Sequence, residues 1–222
     1  INLQTMYEEI KLLWDQELKY RPNFSTVNGV VNIPVIFSKI SGVKDGLVSQ
    51  YWESIAALIT EDTVVVKSAP YIEPTVSGPM KAFAVEFYKN GKLLRNKIKN
   101  HPRYPYHLLR EEMQEFILDK LQLLIERKLI KGIGENGTEY TVIAQILDLP
   151  KEILRLIQKF DFTKKNPKLI YINTGETMIS LQDSILVTFL NLAGFDILFF
   201  VPTGYQSVEN YFAEKLMEEH QI

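Results

Sequence analysis

The sequence contains no cysteine among its 222 residues, which excludes a disulfide framework, a thiolate nucleophile and any cysteine-ligated metal. This is compatible with a reducing compartment, and the expected location is the cytoplasm. Histidine is scarce. His101, His107 and His220 show no H-x-x-x-H spacing, so no histidine metal cluster is expected. Net charge is nearly absent, at −2, so no global field draws the chain to nucleic acid or to a membrane surface. No apolar run approaches the roughly 18 residues of a membrane-spanning helix, and no basic leader with an apolar core is present. No G-x-G-x-x-G or P-loop string occurs.

What is present is an ordinary globular composition, 46% apolar and 23% charged, enough for one large domain or two small ones. Apolar residues at helical spacing run from Leu3 to about Leu18, until Pro22 stops them. Val35–Phe37 and the "TVVVK" run read as strands, with a short helix "LVSQYWESIAALIT" between them. Asn90-Gly91 lies between two further strand candidates. Both central residues of a type I′ turn need positive φ, so this dipeptide predicts a β-hairpin. From Tyr106 to Lys128, steps of three and four predict an amphipathic helix, and two shorter helices follow at 139–147 and 150–160.

The strongest pattern is "LIYINTGETMISLQDSILVTFLNLAGFDILFFVPTGYQSVENYF". Two continuous apolar runs, Lys168–Asn173 and Phe195–Val201, predict buried parallel strands. Between them lies a helix capped by Ser180, with Asp183 in its first turn and Gly194 at its end. A further helix is expected from about Ser207. The expected fold is therefore α/β: a Rossmann-like parallel sheet in the C-terminal part (163–222), a helical middle (106–162), and a small hairpin-containing N-terminal part (1–105). These three could equally form one continuous domain. Ile1 rather than Met opens the sequence, and the expectation is a fragment of a longer chain.

Ligands of open parallel sheets sit beyond the carboxyl ends of the strands. That places the candidate small-molecule site at two turns: Asn173, Thr174, Gly175 and Glu176 after the first strand, and Thr203, Gly204 and Tyr205 after the second. Glycine permits close backbone approach, threonine supplies a donor and an acceptor, and tyrosine offers a flat face. Plain turn and capping chemistry accounts for the same residues. A second candidate is the stretch from Tyr88 to Arg110, which has no acid. Lys92, Arg95, Lys97, Lys99 and Arg103, interleaved with tyrosines, suit phosphate and stacked bases. A solvated hairpin end accounts for these too. "IAQILDLPKEILRLIQ" has helix-turn-helix spacing, but Asp148 stands where the turn normally has glycine. Glu73, Glu86, Asp161, Glu176 and Asp183 lie near strand ends or loops without forming an acid–base pair, and Asp196 opens its strand at the end away from a site.

The strings "IPVIFSKISGV" and "LAGFDILFFVPTGY" resemble the YceG-like bacterial family. The resemblance implies a bacterial cytoplasmic protein linked to tellurite-resistance and stress operons, a component of a biosynthetic module that works with proteins encoded nearby. It implies no reaction, catalytic residue or cofactor. The leading expectation is a scaffold that binds or processes a phosphorylated or nucleoside-like small molecule. The alternatives are a non-enzymatic interaction module and, less favoured, a nucleic-acid-binding module using residues 88–110.

Overall fold

A computed structural model describes residues 1–74, 80–175, 178–204 and 207–222. In chain order the elements are α1 (Tyr7–Asp15), β1 (Ser25–Val27), β2 (Val30–Asn32), β3 (Phe37–Ser41), α2 (Val48–Ala56) and β4 (Thr63–Val66). A tiny hairpin, β5 (Tyr88–Lys89) and β6 (Lys92–Leu93), precedes α3 (Arg95–Lys99), α4 (Glu111–Glu126), α5 (Thr138–Ile146) and α6 (Lys151–Lys159). The chain closes with β7 (Lys168–Ile172), α7 (Leu181–Ala193), β8 (Asp196–Val201) and β9 (Glu218–Gln221).

The main sheet has five strands in the order β4-β7-β8-β3-β9, and every pairing is parallel. Strands covered on both faces need apolar residues on both, and β7 and β8 are buried at every position. Their side chains alternate between two cores. Leu169, Tyr171, Ile197 and Phe199 face a core built by α4, α5, α6 and α7. Ile170, Ile172, Leu198 and Phe200 face a smaller core made with Ile10 and Trp14 of α1 and Tyr51 and Ile55 of α2. As expected, β7 and β8 are parallel neighbours flanking α7, and the Ser180 hydroxyl caps that helix by accepting from the Asp183 N–H at 3.1 Å. Asn90 (φ 52°) and Gly91 (φ 75°) make the predicted hairpin turn, although its strands are only two residues each.

The structure departs from the sequence reading in four places. The sheet is not confined to the C-terminal part: β3 lies between β8 and β9, and β4 pairs with β7. Only residues 7–15 of the first helical pattern form an α-helix, followed by a single 3-10 turn at Leu18–Tyr20, and the opening residues run extended against Val35, with the Leu3 N–H donating to the Val35 carbonyl at 2.8 Å. No helix follows Ser207. There Lys131 N–H donates to the Tyr211 carbonyl and Ala213 N–H to the Leu129 carbonyl, both at 2.9 Å, and these long-range bonds hold the segment irregular until β9. Finally, β1 and β2 form a second hairpin at Asn28 (φ 51°) and Gly29 (φ 77°).

Candidate functional site

At the carboxyl end of the sheet the two predicted turns lie side by side. The Asn173 N–H donates to the Phe200 carbonyl at 2.9 Å, which carries the β7–β8 pairing into the first turn. Asn173 is buried, whereas Thr174 and Gly175 are exposed. After β8, Thr203 and Gly204 are exposed as well. Glu176 and Tyr205 lie outside the described residues.

The next strand over supplies residues that sequence reasoning did not connect to this rim. Both Gly42, which follows β3, and Gly204 donate their N–H to the Val201 carbonyl, at 2.9 and 3.0 Å. Both have positive φ, 94° and 75°. A Cβ on Gly204 would stand 3.9 Å from the Gly42 nitrogen, so the two turns face each other across a narrow gap. The chain diverges here. From β3 it runs into α2 on the smaller-core face; from β8 it runs to Val208 and Phe212, in the larger core. Opposite departures from neighbouring parallel strands mark a topological switch point, the usual ligand position in open α/β sheets. Composition could not reveal this, because nothing local states that β3 is the neighbour of β8.

Asp183 organises the adjoining rim. Its carboxylate is wholly buried and accepts from the backbone N–H groups of Tyr71 and Ile72, each at 2.8 Å, and from the Tyr171 hydroxyl. It thus fastens the loop after β4 to the first turn of α7, beyond its expected interaction with the helix dipole. Burial raises its pKa above the ordinary value, and the Tyr171 and Ile72 donors oppose that rise. Beside this tie is a pocket of about 390 Å³, lined by Tyr71, Ile72, Lys81, Gln145, Lys151 and Gln182 among others. None of Asn173, Thr174, Gly175, Thr203 or Gly204 lines it.

The basic stretch is largely neutralised from within. Arg95 pairs with Glu115 at 3.1 Å and Asp119 at 2.6 Å on α4. Lys99 pairs with Glu111 and with Glu115, the latter at 2.7 Å, and Lys97 lies 3.5 Å from Glu86. The Arg103 guanidinium stacks over Phe83 at 5.5 Å. Among the described residues Lys92 and Arg103 have no carboxylate partner within ion-pair distance. The helix-turn-helix string forms α5 and α6, but its turn is locked internally. The Tyr106 hydroxyl donates to the Ile146 carbonyl at 2.5 Å and accepts from the Leu149 N–H at 3.0 Å. The exposed face of α6 is also engaged, since Glu152 bonds the Tyr71 hydroxyl and Lys159 pairs with Asp62. No group of three or more metal-ligating side chains occurs among the described residues. Nor, among those residues, is any helix long and apolar enough to cross a membrane.

At the opposite, amino end of the sheet, Asp196 is fully buried. It accepts two bonds from Arg21, at 2.8 and 2.6 Å, one from the Ile36 N–H at 2.9 Å, and one from Lys168. Burial alone would raise its pKa; Lys168 and Arg21 outweigh that and hold it below the ordinary carboxylate value. The available signal was a lone aspartate opening an otherwise apolar strand, but no local pattern names Arg21 as its partner.

These features define an α/β domain with a five-stranded parallel sheet, covered on both faces, whose chain leaves β8 and β3 toward opposite faces at the carboxyl rim. The sequence profile of the YceG domain matches residues 4–222, and the chain belongs to that family. It is 26% identical over 226 residues to a Bacillus subtilis (strain 168) protein described as "Uncharacterized protein YceG". The alignment covers 99% of this chain but 42% of that protein, so the chain spans less than half its relative's length. No solved structure matches the chain.

Proposed function

We propose that this domain binds a phosphorylated or nucleoside-like small molecule at the carboxyl rim, with the gap between the turns after β3 and β8 as the seat of the anionic group. The Rossmann-like reading of β7–α7–β8 belongs to this proposal. The observation that supports it is the divergence at β8 and β3, with Gly42 and Gly204 at positive φ on its two sides. Glycine on both sides lets a ligand approach the backbone closely, and loop N–H groups other than those of Gly42 and Gly204, which both bond the Val201 carbonyl, would meet the anion. The link to tellurite resistance, stress and a biosynthetic module with operon-encoded partners rests on family resemblance alone. No reaction and no acid–base pair is assigned.

The test is a thermal-shift panel of nucleotides, nucleosides and sugar phosphates. A ligand at a hundred times its Kd adds about 2.7 kcal/mol, which for a chain of this size raises Tm by about 5–10 °C. Thr203→Val should weaken the hit, read against that variant's own unliganded Tm, as expected for one lost hydrogen bond of about 1 kcal/mol. A panel with no shift, or a hit indifferent to Thr203→Val and to Gly204→Ala, would remove the rim from consideration. A non-enzymatic docking module is the second reading. The exposed apolar residues Val48 and Trp52 on α2, with Ile59 just beyond the helix, favour it.

A further inference from the structure

The amino end of the sheet, remote from the rim, carries a groove of about 450 Å³. Its walls are the β1–β2 hairpin with Ile33, the end of α7 at Leu192 and Gly194, and one face of α4. Residues 1 and 2 close one side. Helix α4 has two working faces. Ile117, Leu121, Leu124 and Ile125 enter the main core. Phe116, Lys120, Leu123 and Arg127 recur at steps of four, three and four and line the groove. A cation thus alternates with an apolar residue along a face that is otherwise walled by Val31, Ile33 and Leu192.

The charges of this groove do not balance. No aspartate or glutamate lines it. Arg127 has an outside partner, Glu214, at 3.0 Å. Lys120 has no carboxylate within ion-pair distance among the described residues; its ammonium lies 5.3 Å from the Phe116 ring centre. Burial lowers the pKa of Lys120, with Asp119 opposing only at longer range. The amides nearby are already used: Asn191 donates to the Asn2 side-chain carbonyl at 2.7 Å, and Asn2 donates to the Leu216 carbonyl at 2.8 Å. A half-buried cation with apolar walls and no counter-charge costs free energy that a bound anion would recover. The volume lies within the range of small-molecule pockets.

We infer that this groove is a second binding site, for a small amphipathic anion whose apolar tail lies along Phe116, Leu123, Ile33 and Leu192 and whose carboxylate or phosphate head meets Lys120. A merely snorkelling lysine, its stem on apolar surface and its head in water, would give the same burial but bind nothing. The inference is independent of the rim, since the two sites share no residue.

Isothermal titration of the 222-residue chain with octanoate, octyl phosphate and octanol below their aggregation limits separates these cases. Octanoate or octyl phosphate should saturate a single site, and the stronger of the two identifies the head group. Octanol should bind at least about tenfold more weakly, because the ion pair contributes at least about 1.4 kcal/mol. Lys120→Met should reduce anion affinity about tenfold while keeping the wild-type Tm, and Lys120→Arg should restore most of it. If Lys120→Met melts early, Val31→Trp, which fills the groove from the hairpin side, should abolish binding instead. Absence of saturable anion binding at millimolar ligand overturns the inference. So does octanol binding as well as octanoate, or binding unchanged by both Lys120→Met and Val31→Trp.

Discussion

Replacing Asp196 by alanine removes the one carboxylate shared by Arg21, Lys168 and the Ile36 N–H. The Arg21 and Asp196 side chains are both fully inaccessible, so water cannot take over the lost bonds. Arg21 would keep only its bonds to the Leu13 and Pro34 carbonyls, which do not neutralise it. Breaking a buried pair by removing one partner costs roughly 3–5 kcal/mol. At about 2–4 °C per kcal/mol for a chain of this size, Tm should fall by about 6–20 °C. Urea denaturation followed by circular dichroism measures the loss directly, and a double-mutant cycle with Arg21→Met should return a coupling of about 1–3 kcal/mol. The pH dependence follows from the depressed folded pKa of Asp196. Its stabilisation is complete above the unfolded value near 4 and is lost as pH falls through the lower folded value. An Asp196→Ala protein within about 1 kcal/mol of wild type, with the same acid midpoint, would refute the argument.

Gly42→Ala should destabilise by more than about 2 kcal/mol, since it combines a positive φ with a Cβ placed 2.5 Å from the Ile222 carbonyl oxygen. Gly29→Ala, also at positive φ but with open space around it, should cost only about 1–2 kcal/mol; equal losses in the two variants would deny the steric part. Asp183→Ala should cost roughly 2–4 kcal/mol by orphaning the Tyr71 and Ile72 N–H groups, as read from chemical denaturation. In the wild type, carbon-detected titration should place the Asp183 carboxyl above the ordinary aspartate range, so its share of the stability grows as pH falls through that value; an ordinary pKa would contradict the desolvation argument.

Much of the framework is local and could be read locally. The apolar runs of β7 and β8, the Ser180 cap and the Asn90-Gly91 turn each depend on residues within a few positions of one another. Asn28-Gly29, flanked by Val27 and Val30, obeys the same dipeptide rule and was legible on the same grounds. Strand order was not legible. Parallel pairing of β3 with β8 sets Ser38 beside Leu198 through a register that no short window encodes. The rim illustrates the consequence: the turns after β7 and β8 were visible, but Gly42 could join them only once β3 was placed. The helix expected after Ser207 failed for a related reason, because backbone bonds to Leu129 and Lys131 override local spacing. The basic stretch is a run of cations in the sequence, but most of its counter-charges sit on α4, a separate segment, and one, Glu86, lies just before the hairpin.

Inserting β3 between two strands that follow it in the chain also fixes a timetable. Ile36 and its acceptor Asp196 are 160 residues apart, a distance a ribosome covers in roughly 8–32 s at 5–20 residues per second. Throughout that interval the residues of β3 lack both of their sheet neighbours, β8 and β9, and an unpaired strand edge is the kind of segment that recruits other chains. Lys39 stands at the centre of β3. In the finished sheet it is buried against Glu209 and Glu219, at 2.7 and 3.1 Å, both supplied by residues translated still later. Until they arrive it is an uncompensated charge in the middle of an aggregation-prone run, a gatekeeper during synthesis that becomes an ion pair on completion.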